Sequence, residues 1–256
     1  MSDLNAIAEI VDTAAHKATA IAQLSETGNN ISLEQAYEVQ RLSIARREAR
    51  GEQVIGVKMG FTSRAKQVQM GLRDEIYGHL TNSMRVSDGG EIDITDYVHP
   101  RAEPELAFLL KKPLSGTVTL LEAMAAIEAV APAIEIIDSR YMNFKFNLPD
   151  VVADNTSSSS FVTGPWHLPG GDYANLGIIL EFDGEPRQIG STAAILGHPA
   201  RALASAARLC GQHEIELQPG WVIMAGGATA AEALAPGDSV RAVVEGLGRP
   251  AFSVKA

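Results

Sequence analysis

The sequence holds a single cysteine, Cys210, among 256 residues. That excludes an intramolecular disulfide framework and makes a reducing compartment, the cytoplasm, the expected setting. The opening segment MSDLNAIAEIVDTAAHK has no basic stretch leading into an apolar core, so no signal peptide is expected. No uninterrupted apolar run approaches the roughly 18 residues that suggest a membrane span. Long basic runs are missing too, and the formal net charge is −10. This argues against nucleic acid or an anionic membrane as partner. An anionic small molecule fits such a balance only where a local cation or a metal overcomes the overall field.

Several catalytic signatures are absent as well. The six histidines are scattered, without HxxxH or HxH spacing, so a histidine-based metal site is not expected. No Gly-x-Ser-x-Gly elbow occurs, which counts against an α/β-hydrolase. The glycines of AGGATAAEALAPGD lack both the Gly-Lys-Ser/Thr ending and the GxGxxG spacing, which excludes a phosphate loop.

What is present is an ordinary globular composition, 46% hydrophobic and 20% charged, long enough for one large or two small domains. The first fifty residues read as helix. LNAIAEIVDTAAHKATAIAQL spaces its apolar residues by three and four, and SLEQAYEVQRLSIARREARG offers Ser32 as N-cap with Gln35 three places on. From Val54 the pattern changes. QVIGVKMGF reads as a strand, SRAKQVQMG as a short helix, VHPRAEPELAFLLKKP as a strand, and TLLEAMAAIEAVAPAIEIIDS as a helix to about Val130 followed by a strand. Asp183-Gly184 marks a hairpin tip, HPARALASAARLCGQHEI a helix, and GWVIMAGG, PGDSVRAVVEG and PAFSVKA closing strands. The expectation is an α+β fold: a helical section over residues 1–52 and a β-rich, metal-binding catalytic portion over 53–256, forming one structural unit. It lacks the regular alternation of a doubly wound sheet.

Three acids carry the chemistry. Glu103 and Glu105, at i and i+2 on a strand, project from one face, where their charges repel. Either that face is wet, or a cation sits between them. Glu135 lies in the apolar strand PAIEIIDSR, and a carboxylate inside such a strand must be paired, protonated or metal-bound. Three carboxylates without clustered cysteine or histidine suit a hard divalent ion, Mg²⁺ or Mn²⁺, better than zinc. Lys58, between Val57 and Met59, is either a lysine on a wet edge or a cation aimed into a pocket. DVVADNTSSSSFVTG is either a surface loop or a loop whose hydroxyls and backbone N–H groups receive an anion.

GVKMGFTSRAKQVQMG, HPRAEPELAFLL, APAIEIIDSRY and VVADNTSSSSFVTG, in that order and spacing, resemble the hydratase/decarboxylase family of aromatic meta-cleavage pathways. That family lies within the fumarylacetoacetate hydrolase-like superfamily, and the resemblance covers nearly the whole chain. It implies a β-rich fold with a divalent metal held at positions matching Glu103, Glu105 and Glu135. The family's strand lysine maps onto Lys58 and its Ala-Asp-Asn-x-Ser-Ser segment onto Ala153 to Ser158. The implied substrate is a small 2-oxo diacid, 2-oxo-3-hexenedioate, losing CO₂; sister members hydrate 2-hydroxypenta-2,4-dienoate at the same kind of site. Lys58, Asn155, Ser157 and Ser158 are then expected to hold substrate, with Lys58 also placed to deliver a proton. Asp138 and Arg140 follow Glu135 closely, either orienting the ligands or forming an ordinary surface ion pair. The resemblance also implies association of decarboxylase with hydratase, and a homo-oligomer is a further expected state.

Overall fold

The computed structural model describes residues 3–63, 68 and 74–256. The short helix expected at residues 63–71 falls, except for Ser63 and Val68, outside the described residues. Among the described residues no helix is long and apolar enough to cross a membrane.

Two long antiparallel strands form the centre, β5 (Arg101–Leu110) and β6 (Ile127–Ile137), in register from Arg101 opposite Ile137 to Leu109 opposite Ala129, with a shift before Leu110. Around them the larger sheet adds β1 (Val54–Gly60), β2 (Ile76–Thr81), β3 (Arg85–Val86), β7 (Ser158–Thr163) and β10 (Val222–Met224). The order is β2-β1-β10-β5-β6-β7-β3, with β11 (Glu232–Ala233) on one end of β5. Helix α3 (Leu120–Ala125) stops about five residues before the expected boundary near Val130. Pro132 disfavours helix at the residue before it, and Val130 and Ala131 fill the buried middle of the sheet.

Strand alternation then divides the work. Ala102 of β5 with Ile134 and Ile136 of β6 point to one face and pack against Leu180, Phe182, Val240, Ala242 and Phe252. Those belong to a second sheet, β4 (Gly90–Ile92), β13 (Ala251–Val254), β12 (Ser239–Val244), β8 (Gly177–Phe182) and β9 (Glu185–Ser191), in that order. The β8–β9 hairpin turns at Asp183 and Gly184, both with positive φ, 53° and 84°, as the tight primed turns require. The other face of β5 and β6 is therefore free of the inter-sheet core. It carries Glu103, Glu105 and Glu135.

Helices α1 (Leu4–His16) and α2 (Leu33–Ala49) pack together through Asp12, buried on α1, which accepts from Arg46 Nε (3.1 Å) and from Arg50 Nη1 and Nη2 (2.7 Å each). The capping box at Ser32 forms as expected, with Gln35 N donating to Ser32 Oγ (3.2 Å) and Ser32 N to Gln35 Oε1 (2.9 Å). The first helix is shorter than its periodicity predicts. Ala18 turns left-handed (φ 47°), and Ile21 pairs instead with the segment after β6, donating to Arg140 O and accepting from Met142 N, both at 2.8 Å. Gln40 on α2 reaches inward, donating to Tyr77 O of β2 (3.1 Å) and to Val152 O (2.9 Å) of α4 (Leu148–Ala153). Helix α5 (Ala200–Gln212), with Pro199 at its N-cap, covers the sheet beside β1 and β2.

His79, on β2, is 6% exposed and its Nδ1 meets no hydrogen-bond partner among the described residues. Burial lowers its pKa to about 4. The folded value lies below the unfolded one near 6.5, so the unfolded chain binds the extra proton in between. This contribution to stability is complete above about pH 6.5 and declines as pH falls toward 4, by up to about 3 kcal/mol. Chemical denaturation of wild type and His79→Gln across that range should show the acid-side loss reduced in the variant; parallel curves would assign it to other groups.

Candidate metal centre and substrate cavity

Glu103 and Glu135 stand directly opposite one another in the β5–β6 ladder, and Glu105 is two residues on along the same face. One carboxylate oxygen from each lies within 4.8 Å of the others. All three are buried, 7%, 0% and 0% exposed for Glu103, Glu105 and Glu135. Like charges directly across a ladder destabilise it, and each unpaired buried charge costs several kcal/mol. Burial, then the charges of Glu135 and Glu103, pushes the Glu105 carboxyl well above the usual carboxylate range. Burial raises Glu135 as well, opposed chiefly by Lys58.

The surroundings supply only part of the compensation. Lys58 on β1 shares this face of the sheet and is 4% exposed, its Nζ 3.0 Å from Glu135 Oε2. Gly226 N donates to Glu105 Oε2 at 2.8 Å. Gly226 has φ 100°, and a Cβ there would sit 2.0 Å from Thr62 Oγ1, so only glycine brings the amide this close. Glu105 Oε1 and Glu135 Oε1 are buried and accept no hydrogen bond from the described residues. Lys58 sets one ammonium beside three clustered carboxylates. A divalent cation offsets their mutual repulsion, and an all-oxygen donor set selects a hard ion. The residues present therefore fit such an ion, whose binding displaces protons and tightens as pH rises.

The segment between α4 and β7 is a turn of three consecutive left-handed residues, Asn155 (φ 48°), Thr156 (φ 54°) and Ser157 (φ 56°). For a β-branched residue this is strain, which persists only where neighbours enforce it. Asn155 Oδ1 accepts from His79 N (2.7 Å) and its Nδ2 donates to His79 O (2.9 Å), while Thr156 Oγ1 donates to Tyr77 O (2.6 Å). Gly78 lies between them, and any Cβ there would fall 2.3 Å from Asn155 O. Clamped in this way, the turn presents Thr156 O to Lys58 Nζ at 3.0 Å and leaves Ser157 Oγ buried without a hydrogen-bond partner among the described residues.

Lys58, Glu103, Thr156 and Ser157 line a cavity of about 320 Å³, closed by Ile137, Phe144, Phe146 and Val151 and by Gly227, Ala230 and Ala231. The lysine is thus a pocket cation rather than a wet-edge residue, and the serine-rich segment is buried rather than a surface loop. Two expected substrate contacts sit elsewhere. The Asn155 amide is committed to the His79 backbone, and Ser158 Oγ points to Met84 Sδ at 3.7 Å. Neither is among the residues lining the cavity. Asp138 and Arg140 are buried, 2% exposed each, and form no surface ion pair. Asp138 accepts from Val98 N and His99 N, whereas Arg140 grips Asp154 through Nε (2.5 Å) and its backbone N (3.0 Å). With Arg140 Nη2 on Asp154 O (2.8 Å), this pair anchors the strained turn from behind. The sequence reading missed Arg101 and the two phenylalanines. For Arg101 the signal was available, since residues 101, 103 and 105 alternate onto one face.

Asn155→Ala removes both partners of a buried backbone pair at His79. Each unmet group costs about 1–3 kcal/mol, so thermal unfolding should shift down by several degrees. Turnover should fall with it as Ser157 and Thr156 O lose their places; wild-type kcat in a destabilised variant would show that the turn does not position them.

The family model for the fumarylacetoacetate (FAA) hydrolase C-terminal region matches residues 53–255. A 4-oxalocrotonate decarboxylase of Pseudomonas sp. is 56% identical over 98% of this chain and 97% of its own length. A 2-hydroxyhexa-2,4-dienoate hydratase of Comamonas testosteroni is 37% identical over 92% of this chain and 91% of its own. Among solved structures, the 4-oxalocrotonate decarboxylase of Pseudomonas putida G7, complexed with magnesium and adipate, superposes with a TM-score of 0.95. It shares 39% identity, with 98% of this chain and 97% of that one covered. The matched segment spans every residue of the acid cluster, the lysine and the strained turn, and the chain belongs to the fumarylacetoacetate hydrolase family, in its hydratase/decarboxylase branch.

Proposed function

We propose that the protein is a divalent-metal-dependent carboxy-lyase. It converts 4-oxalocrotonate (2-oxo-3-hexenedioate) to 2-hydroxypenta-2,4-dienoate and CO₂ in meta-cleavage degradation of aromatic compounds. The observation that carries this reading is the buried Glu103–Glu105–Glu135 cluster, whose Glu103 lines a cavity of about 320 Å³ that is otherwise largely apolar. The higher identity to a decarboxylase (56%) than to a hydratase (37%) supports the choice of member. The three glutamates would hold Mg²⁺ or Mn²⁺. Such an ion supplies Lewis-acid charge to the 1-carboxylate and 2-keto oxygens of a 2-oxo acid.

Around that centre the chain's own groups set the reaction's geometry. Ser157 Oγ, buried and without a hydrogen-bond partner among the described residues, offers a hydrogen bond to the 1-carboxylate. The C3=C4 double bond conjugates C5 with the ketone. When the C5–C6 bond breaks, its electron pair forms C4=C5, the π pair moves to C2=C3, and negative charge arrives on the 2-oxygen. Lys58 Nζ faces that charge and is the group placed to donate a proton there, giving the dienol. Ile137, Phe144, Phe146 and Val151 surround the departing carboxylate with apolar surface, which favours its conversion to neutral CO₂. No nucleotide or other organic electron sink is needed. The reactive dienol gives a physical reason for a hydratase as partner, alongside further copies of this chain.

A ¹H NMR time course with 2-oxo-3-hexenedioate and Mg²⁺ should show the dienol forming and stopping on EDTA addition. Intact diacid, with supplied dienol turning into 4-hydroxy-2-oxopentanoate, would make the protein a hydratase. Glu105→Gln should lower turnover more than about 100-fold, beyond the usual loss from an outer-shell partner. In the metal-free form the same variant should melt higher than wild type, because one buried like charge is gone. The rise in Tm that Mg²⁺ gives the wild type should disappear.

A further inference from the structure

A six-carbon diacid brings a second carboxylate, and nothing in the acid cluster accounts for it. Resting on the proposed reading, we infer that Arg101 receives the distal carboxylate and selects the diacid over monoacids, acting on the bound substrate rather than on the transition state. The charged side chains lining the cavity, among the described residues, are Lys58, Arg101 and Glu103. Lys58 is committed to Glu135 and to Thr156 O. No carboxylate among the described residues pairs with Arg101; its Cζ lies over the Phe144 ring, 4.4 Å from the centroid.

Position agrees with the role. Arg101 precedes Glu103 by two residues on the same face of β5, with Ile137 as its direct cross-strand neighbour. Two strand residues rise about 6.7 Å, comparable to an extended six-carbon chain. A substrate with its 2-oxo acid end at Glu103 thus reaches Arg101 with its other end. The aromatic ring covers one flat face of the guanidinium, leaving the N–H edge for planar, bidentate recognition of a carboxylate. Phe144 is itself held with φ 56°, after Asn143 at 59°, so the ring is presented by a strained loop rather than by a regular element.

The energetics separate this residue from those at the cluster. The carboxylate it holds becomes neutral CO₂, so the ion pair weakens as the C5–C6 bond breaks. An interaction stronger in the ground state than in the transition state lowers KM without raising kcat. It also lets go of a product that has lost the charge.

The test compares two dead-end ligands, 2-oxohexanedioate and 2-oxohexanoate, as competitive inhibitors of the Mg²⁺-loaded enzyme. Wild type should favour the diacid. Arg101→Gln should weaken the diacid about 10- to 100-fold, the range for one charged hydrogen-bonded contact, and leave the monoacid unchanged. For the substrate, KM should rise with kcat unchanged or higher. Arg101→Lys keeps the charge without the fork and should recover part of the preference, which controls for misfolding. Equal weakening of both ligands in Arg101→Gln, or a lower kcat at unchanged KM, overturns the inference. A wild-type enzyme that prefers the diacid without decarboxylating it leaves Arg101's role standing and removes the decarboxylase reading instead.

Discussion

The structure is organised around the burial of three negative charges on one face of one pair of strands. Glu103 opposite Glu135 is a pairing that a β-ladder disfavours, and Glu105 adds a third carboxylate within 4.8 Å. The neighbourhood answers with partial measures. Lys58 supplies one charge from β1, Gly226 supplies an N–H that only glycine can bring so near, and Glu105 Oε1 and Glu135 Oε1 accept no hydrogen bond from the described residues. The donor set is one of oxygens alone, which a hard divalent ion fits. The site's instability without an ion and its affinity for one are the same energy viewed from two sides.

The rest of the scaffold serves that face. The opposite side of β5 and β6 anchors the second sheet through Ile134 and Ile136, so the acids sit on a stiff two-sheet support. Behind the cavity, Arg140 with Asp154 and Asn155 with His79 hold a turn whose backbone angles would not persist alone. Helix α2 secures the same edge by the double contact of Gln40 with Tyr77 and Val152. Buried polar groups here are structural clamps first. Their stabilisation is spent locally, in keeping Ser157 Oγ and Thr156 O aimed where an uncommitted chain would not aim them.

That distinction explains how far the sequence could be read. Strand alternation alone places Glu103 and Glu105 together, and the isoleucines flanking Glu135 turn it to the face opposite their own, whereas the pairing that sets Glu135 across from Glu103 is tertiary. The capping box at Ser32 and the Asp183-Gly184 turn were legible because their chemistry is local. Tertiary pairing decided what was not. The helical period from Leu4 to Leu24 continues past His16, yet Ile21 gains more by pairing with the Arg140–Met142 segment. Residues 127–131 have a helix-compatible composition but fill the middle of a sheet. Asn155 and Ser158 carry functional groups suited to an anion, and only the fold shows that one is bound to backbone and the other faces Met84. Arg101 obeys the same alternation as the acids, and that alternation is the one signal the sequence carries for it.

The metal cluster does not by itself choose between decarboxylation and hydration. Both reactions pass charge through the 2-oxygen of a 2-oxo acid, so both want the same three carboxylates and the same lysine. The choice lies at the far end of the cavity. Hydration needs a water held against the diene and a polar group to hold it, whereas Ile137, Phe144, Phe146 and Val151 offer none. Decarboxylation needs a place where a carboxylate can be recognised and then lose its charge. A cation with one flat face covered by an aromatic ring, among apolar neighbours, meets both demands, since it binds the charged form and has no hold on the neutral one. On the proposed reading, specificity in this chain is set by the wall that faces the leaving group, while the floor of carboxylates sets only the class of chemistry.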